Sequence, residues 1–249
     1  MKTLWGIFIG DCSGSPYEGG TVTGNKIGVY TDDTEQAYGL ALWLKNKKLN
    51  KNELEILLKY VYSGADRGYG RNQAKFLEGK DHRKDSFGNG ASMRVAPIGE
   101  YCQNYKEVIR LATLQAQLTH NNEESINGAV TIALLAFLIK KEENPLSIKK
   151  IKKLYPKALL PQDDMEYACT LQTSQSVPPA VYAYLNGKSF NDVLKKALSF
   201  GGDTDTIAAM ACALAALRYD VPEQLLKRVI EAHPDNFKMS QNIQSLKTS

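Results

Sequence analysis

Two stretches of this chain are apolar around the whole helical circumference: Ile132-Ala133-Leu134-Leu135-Ala136-Phe137-Leu138, and residues 207–217 with their repeated alanines. In a soluble protein such helices belong at the centre of a bundle, where small alanine faces let neighbouring backbones approach. The longest apolar run, residues 129–139, contains Thr131 and falls short of the roughly 20 residues that cross a bilayer. No membrane association is expected. The N-terminal residues carry a single lysine and pass straight into Gly10-Asp11 without a small-residue cleavage site. The expectation is therefore no signal peptide and a cytoplasmic protein.

A chain of 249 residues, 43% hydrophobic and 23% charged, can bury one large core and does not read as disordered. No repeat, low-complexity tract or Pro/Ser-rich linker divides it, so a single domain over 1–249 is expected. Almost every apolar pattern follows a period near 3.6. Only 4–9 and 26–30 fit a strand, and the first is equally compatible with a helix. Helices are expected over 34–45, 51–62, 105–118, 123–141, 147–153, 177–185, 190–200, 205–217 and 222–232, with Asn50 and Pro222 among the start signals. The fold class is all-α, with central helices wrapped by amphipathic ones. Cys12, Cys102, Cys169 and Cys212 are scattered with no CxxC pair, which argues against zinc or a disulfide framework and for buried thiols. The formal net charge is +4. Lysines gather within 45–51, 140–153 and 195–196, but they alternate with Glu and Leu at helical spacing and read as solvated faces. A nucleic-acid partner is not expected, and nothing in the sequence marks a subunit interface.

Chemistry is concentrated where the helical pattern breaks. Thr31-Asp32-Asp33-Thr34 and Asp203-Thr204-Asp205-Thr206 each open an expected helix. One Asp or Thr suffices for a cap; two carboxylates at each of two helix starts exceed that need. Brought together, four carboxylates would repel unless a cation neutralised them. An all-oxygen donor set suits Mg²⁺ or Mn²⁺, and two-metal sites place their ions ~3.5–4 Å apart. Plain capping is the competing reading. Ser86-Phe87-Gly88-Asn89-Gly90 exposes unobstructed backbone N–H groups that fit a diphosphate, and equally reads as an ordinary turn.

Four segments together resemble the motif set of the ADP-ribosylglycohydrolases: Gly10-Asp11 through Glu18, Thr31-Asp32-Asp33-Thr34, Gly88-Asn89-Gly90-Ala91-Ser92-Met93-Arg94-Val95-Ala96-Pro97, and Gly201-Gly202-Asp203-Thr204-Asp205-Thr206. They run in that family's order. The resemblance implies a single-domain orthogonal multi-helix bundle with two Mg²⁺ (or Mn²⁺) ions at the base of a cleft. The implied metal ligands are Thr31, Asp32, Asp33, Asp203, Asp205 and Thr206. Glu18 corresponds to the active-site glutamate, and Asp203 or Asp205 to the base. Ser86, Phe87, Gly88 and Asn89 correspond to the loop that holds the diphosphate and adenosine, with Phe87 placed to stack on adenine. His120 matches a position that touches phosphate or ribose, and Asp66 and Tyr69 lie in a loop beside the distal ribose.

The implied reaction is hydrolysis of the glycosidic bond between ADP-ribose and a modified side chain of a protein, or of a small ADP-ribosyl conjugate. Arginine is the first expected linkage, with serine or another conjugate as others. The alternatives are a catalytically silent ADP-ribose-binding or structural member, and a two-metal phosphohydrolase that cleaves the diphosphate. Asp85 departs from the pattern: its charge would oppose a diphosphate unless it points away. Arg94 reads either as a phosphate contact or as a buried ion pair with a motif carboxylate. Cys12 and Cys212 read as small buried fillers, Trp5 and Trp43 as core or cleft-wall aromatics, and His82 and His233 carry no partner pattern.

Overall fold

The computed structural model describes residues 1–20, 23–141, 148–162 and 166–246. Among them there is no β-sheet, only isolated bridges. The helices in order are α1 (Lys2–Gly14), α2 (Asp32–Asn46), α3 (Lys51–Val61), α4 (Arg71–Leu77), α5 (Gly90–Met93), α6 (Ala96–Tyr101), α7 (Tyr105–Thr119), α8 (Glu123–Lys140), α9 (Ile148–Leu154), α10 (Thr173–Asn186), α11 (Phe190–Ser199), α12 (Thr204–Arg218), α13 (Glu223–Glu231) and α14 (Pro234–Ser245). Single 3₁₀ turns lie at Ser15–Tyr17 and Ala65–Arg67. The fold is all-α, as the periodicity predicts.

The two all-apolar stretches form the centre: α8 is buried continuously over 127–139 and α12 over 204–216. The closest packing joins α12 to α1. Gly6, Gly10 and Gly14 form a stripe one turn apart along α1, facing Cys212, Ala208 and Asp205 in reverse order along α12. A Cβ at these glycines would lie 2.2 Å from the Cys212 oxygen, 2.3 Å from the Ala208 oxygen and 2.5 Å from the Asp205 Cα. The two backbones therefore touch directly, antiparallel, and the C-terminal half of α1 is pinned beside the N-terminus of α12. No larger residue fits there, because main chain on a buried helix cannot step aside.

Several local expectations are corrected. Residues 4–9 are helical, not a strand; α1 is buried on nearly every side, which erases any distinction between periods. Residues 26–30 form no helix and pair with no strand among the described residues. Their polar groups are satisfied by Gly28 N–H donating to the Cys12 carbonyl (2.8 Å), and by Asn236, which accepts from Tyr30 N–H (3.1 Å) and donates to the Gly28 carbonyl (2.9 Å). Helix α10 begins at Thr173 and not 177, running through Pro178 and Pro179, both buried against the bundle. Interior proline costs about 3 kcal/mol in an isolated helix; here packing overrides it. Helices α4, α5, α6 and α14 lie outside the expected set, and Ser147, the expected start of 147–153, lies outside the described residues.

All four cysteines are free and buried, and burial pushes the Cys12 thiol well up and the Cys102 thiol to about 12. Trp43 is fully buried, its indole N–H shared between the carbonyls of Lys48 and Asn50 at 3.1 Å each. Among the described residues no helix is long and apolar enough to cross a membrane.

Candidate active site

The α1–α12 contact brings two helix N-termini to one place. At the start of α2 the capping work is done by Thr31, whose hydroxyl accepts from Asp33 N–H (3.4 Å), and above all by Asp11. Asp11 stands on α1, fully buried, and accepts from the amide of Thr31 (2.9 Å), the Thr31 hydroxyl (2.9 Å), the amide of Thr34 (3.1 Å) and the Thr34 hydroxyl (2.5 Å). With those orphan donors satisfied, the side chains of Asp32 and Asp33 are released from capping. At α12, Asp203 occupies the N-cap position, yet its side chain makes no cap hydrogen bond. It accepts instead from Asn89 Nδ2 at 2.5 Å. Capping alone does not account for these aspartates.

The carboxylates converge. One oxygen from each of Asp11, Asp33 and Asp205 lies within 4.8 Å of the others, and the same holds for Glu18, Asp203 and Asp205. Asp205 belongs to both groups. Asp33 Oδ2 accepts from the Thr206 hydroxyl (3.2 Å) and lies 3.1 Å from the Thr31 hydroxyl, whose one proton goes to the nearer Asp11, while Oδ1 is buried without a partner among the described residues. Asp32 Oδ2 accepts from Gln36 Nε2 at 2.8 Å. Burial first, then the Asp205 charge, raises Asp32, Asp33 and Asp203 well above the usual carboxylate range and Asp11 to about 7. Burial also raises Asp205, and for Glu18 the nearby Asp205 charge outweighs burial in the upward shift. Acids this close and this dry hold protons unless a cation replaces them. The donor chemistry, carboxylate and hydroxyl oxygen with one buried oxygen unpartnered, fits a hard divalent ion.

Above this floor opens a cleft of about 270 Å³, lined by Glu18, Asp32, Asp33, Asp203, Asp205 and Thr206 on one side and by Ser86, Gly88, Asn89, Gly90, Met93, His120 and Leu171 on the other. The second wall is a backbone clasp. Asn89 N–H donates to the Leu171 carbonyl (2.9 Å), Thr173 N–H to the Phe87 carbonyl (3.0 Å) and the Ser125 hydroxyl to the Ser86 carbonyl (2.9 Å). His120 sits so near Gly90 that a Cβ there would lie 2.9 Å from its ring. Burial, with the Arg94 charge behind it, lowers the imidazole to about 3, so the ring is neutral. Phe87 stands half exposed beside this wall, outside the lining. Asp85 is turned into a two-pronged pair with Arg83 (2.9 and 2.8 Å), which holds its carboxyl below the usual range. Its charge is thus compensated.

The Asp66–Tyr69 loop behaves differently. Asp66 is exposed and does not line the cleft; Tyr69 is buried and donates its hydroxyl to Glu35 Oε2 at 2.6 Å. The loop instead presents Gly68 and Gly70, followed by Arg71 and Asn72. Gly68 has φ +90°, and a Cβ on it would lie 3.5 Å from Asp32 Oδ1, so the chain lies against the acidic floor. Arg94 takes neither role expected of it. It is fully buried, does not line the cleft, and meets neutral acceptors, Gln36, Gln115 and Thr119, with no carboxylate partner among the described residues.

Sequence reasoning missed Asp11, Gln36 and Arg71 as contributors. Asp11 had a signal, a carboxylate at the end of the apolar run 4–9; Arg71 had none. It is the sole arginine or lysine among the described residues of the cleft lining.

A family model described as ADP-ribosylglycohydrolase matches residues 1–246. ADP-ribosylhydrolase ARH3 of Homo sapiens is 28% identical over 312 residues, covering 88% of this chain and 86% of that protein. The ARH3 of Gallus gallus is 26% identical over 338 residues, covering 98% and 92%. A solved structure titled ADP-ribosylglycohydrolase-related protein complex superposes with a TM-score of 0.76 at 22% identity, covering 98% of this chain and 95% of that one, and so shares the fold.

Proposed function

The chain belongs to the ADP-ribosylglycohydrolase family, and from that premise we propose that it hydrolyses the glycosidic bond between ADP-ribose and a modified arginine or serine side chain, or a related small conjugate. The observation that carries the reading is Asp33 Oδ1, buried and without a partner among the described residues, gathered with the Asp11 and Asp205 carboxylates at the start of a helix that Thr31 and Asp11 already cap. Thr31, Asp32, Asp33, Asp203, Asp205 and Thr206 would hold two Mg²⁺ or Mn²⁺ ions; Asp11, its oxygens occupied by Thr31 and Thr34, supports them from behind. When bound, such ions grip the vicinal hydroxyls of the distal ribose and lower the pKa of an attacking water.

The residues of this chain supply the rest. The acidic floor stabilises the positive charge that develops at the anomeric carbon as its bond to the leaving atom breaks. Asp203, oriented by Asn89, or Asp205 takes the proton from the attacking water. Glu18, whose carboxyl the nearby Asp205 charge pushes up from its ordinary value, delivers a proton to the departing nitrogen or oxygen. The Gly88 and Asn89 N–H groups are taken by Ser86 Oγ and the Leu171 carbonyl, so neutral His120 in this wall faces the anionic part of the ligand, with Phe87 at the adenine end.

The test is incubation of the purified chain, with Mg²⁺ or Mn²⁺, on peptides mono-ADP-ribosylated at arginine or serine. Release of intact ADP-ribose, lost with chelator and restored by cation, is the expected result. Binding of ADP-ribose without turnover of any linkage would instead mark a silent binding member, and appearance of AMP would mark diphosphate cleavage.

A further inference from the structure

We propose that buried Arg94 is a positioning residue that sets the hydrogen-bond polarity of both cleft walls, presenting the Gln36 amide nitrogen to Asp32 and fixing His120 as a neutral Nε2–H donor through Thr119. A guanidinium donates at every nitrogen and accepts nowhere. Arg94 Nη1 donates to Gln36 Oε1 at 2.5 Å, so Gln36 must turn its oxygen inward. Gln73 Nε2 donates to the same oxygen at 3.2 Å. The only orientation left sends Gln36 Nε2 to Asp32 Oδ2, at 2.8 Å.

The second branch runs through Thr119. Arg94 Nη2 donates to Thr119 Oγ1 at 3.0 Å, and His120 Nδ1 lies 2.7 Å from that hydroxyl. Thr119 is buried, and among the described residues its hydroxyl has no partner besides Arg94 and His120. Its single proton therefore goes to Nδ1. The opposite tautomer, with Nδ1–H donating to the hydroxyl, would leave the hydroxyl proton buried without an acceptor. Nδ1 is consequently an acceptor and Nε2 carries the hydrogen. Nε2 has no hydrogen-bond partner among the described residues and lies in the cleft wall, 3.6 Å from where a Cβ on Gly88 would stand. A neutral donor there suits a phosphate or ribose oxygen, and Arg94 acts through it while standing outside the cleft.

The ligand half of this inference rests on the ADP-ribosyl reading; the tautomer half does not. The experiment is ¹⁵N NMR of the histidine-labelled full chain, with His120 identified by the loss of its signals in His120→Gln. Expected is a pyrrole-type Nε2 and a hydrogen-bonded pyridine-type Nδ1 that persist from pH 8 to 5.5. In Thr119→Val the Nδ1 signal should move to that of an unbonded nitrogen, and the ADP-ribose Kd should rise at least about fivefold; Thr119→Ser should retain both wild-type values. A protonated Nδ1 in the wild type, or an unmoved Nδ1 signal in Thr119→Val, overturns the relay. A pyrrole-type Nε2 in a protein that binds no ADP-ribose would uphold the relay and sink the functional reading instead.

Discussion

Asp11 on α1 takes both the backbone N–H and the hydroxyl of Thr34 on a single oxygen, at 3.1 and 2.5 Å. A carboxylate from one helix thus serves as the N-terminal anchor of another. Replacement by Asn keeps the volume but halves the acceptors and removes the charge that favours α2's positive end. Asp11→Asn should cost about 1–2 kcal/mol of stability, the size of a lost cap, and weaken Mg²⁺ affinity. Chemical denaturation and isothermal titration read the two effects; unchanged values for both would remove Asp11 from the site's support.

Asp33 and Asp205 should separate metal binding from folding. Asp33→Asn or Asp205→Asn is expected to lower kcat by at least about a thousandfold, a loss of roughly 4 kcal/mol in transition-state stabilisation, with helix content unchanged by circular dichroism. The metal-free variants should melt a few degrees above the metal-free parent, since one buried carboxylate of a repelling group is gone. Full activity in either variant would mean the chemistry sits elsewhere.

Stability of the chelator-treated protein should rise as pH falls from 8 towards 5. The sign follows from linkage: Asp11, Asp32, Asp33, Asp203 and Asp205 all hold protons in the fold at a pH where the unfolded chain has lost them. His120, lowered to about 3, works the other way below about pH 6.5, but it is one group against five. Added Mg²⁺ or Mn²⁺ should raise the melting temperature more at pH 8 than at pH 5.5. A metal-induced shift that is larger at the lower pH would contradict the upward displacement of these acids.

Arg71 is the lone basic residue among those described in an acid-floored cleft. Its guanidinium should meet the ligand's diphosphate. Arg71→Ala is expected to weaken ADP-ribose binding about tenfold, or 1.4 kcal/mol, and to flatten the salt dependence of Kd. Arg71→Lys should recover part of the affinity but not the two-pronged geometry. Equal affinity in wild type and Arg71→Ala across salt concentrations would rule the contact out.

The aspartate clusters were legible because doubling exceeds what a helix start requires, and the two central helices because nothing but burial suits them. What the sequence hid has a common cause: partners supplied from far along the chain. Asp11 looks like a stray charge in an apolar helix until Thr31 and Thr34 arrive to meet it. The Arg94 environment hides similarly, for its acceptors are amides and a hydroxyl drawn from α2 and α7. Residues 4–9 gave an ambiguous period because a helix covered on all faces has no polar side to mark its turn. Pro178 and Pro179 misplaced the start of α10 because local propensity is blind to the packing that outweighs it.

The glycine stripe on α1 gives the site an unusual kind of ruler. The span between the two backbones that carry the α1 carboxylate and the α12 pair is fixed by main chain resting on main chain, with no side chain in between that could lengthen or shorten it. Such a gauge has no soft setting. Divergence among proteins built on this frame should therefore leave the acidic floor alone and work on the loops that roof it.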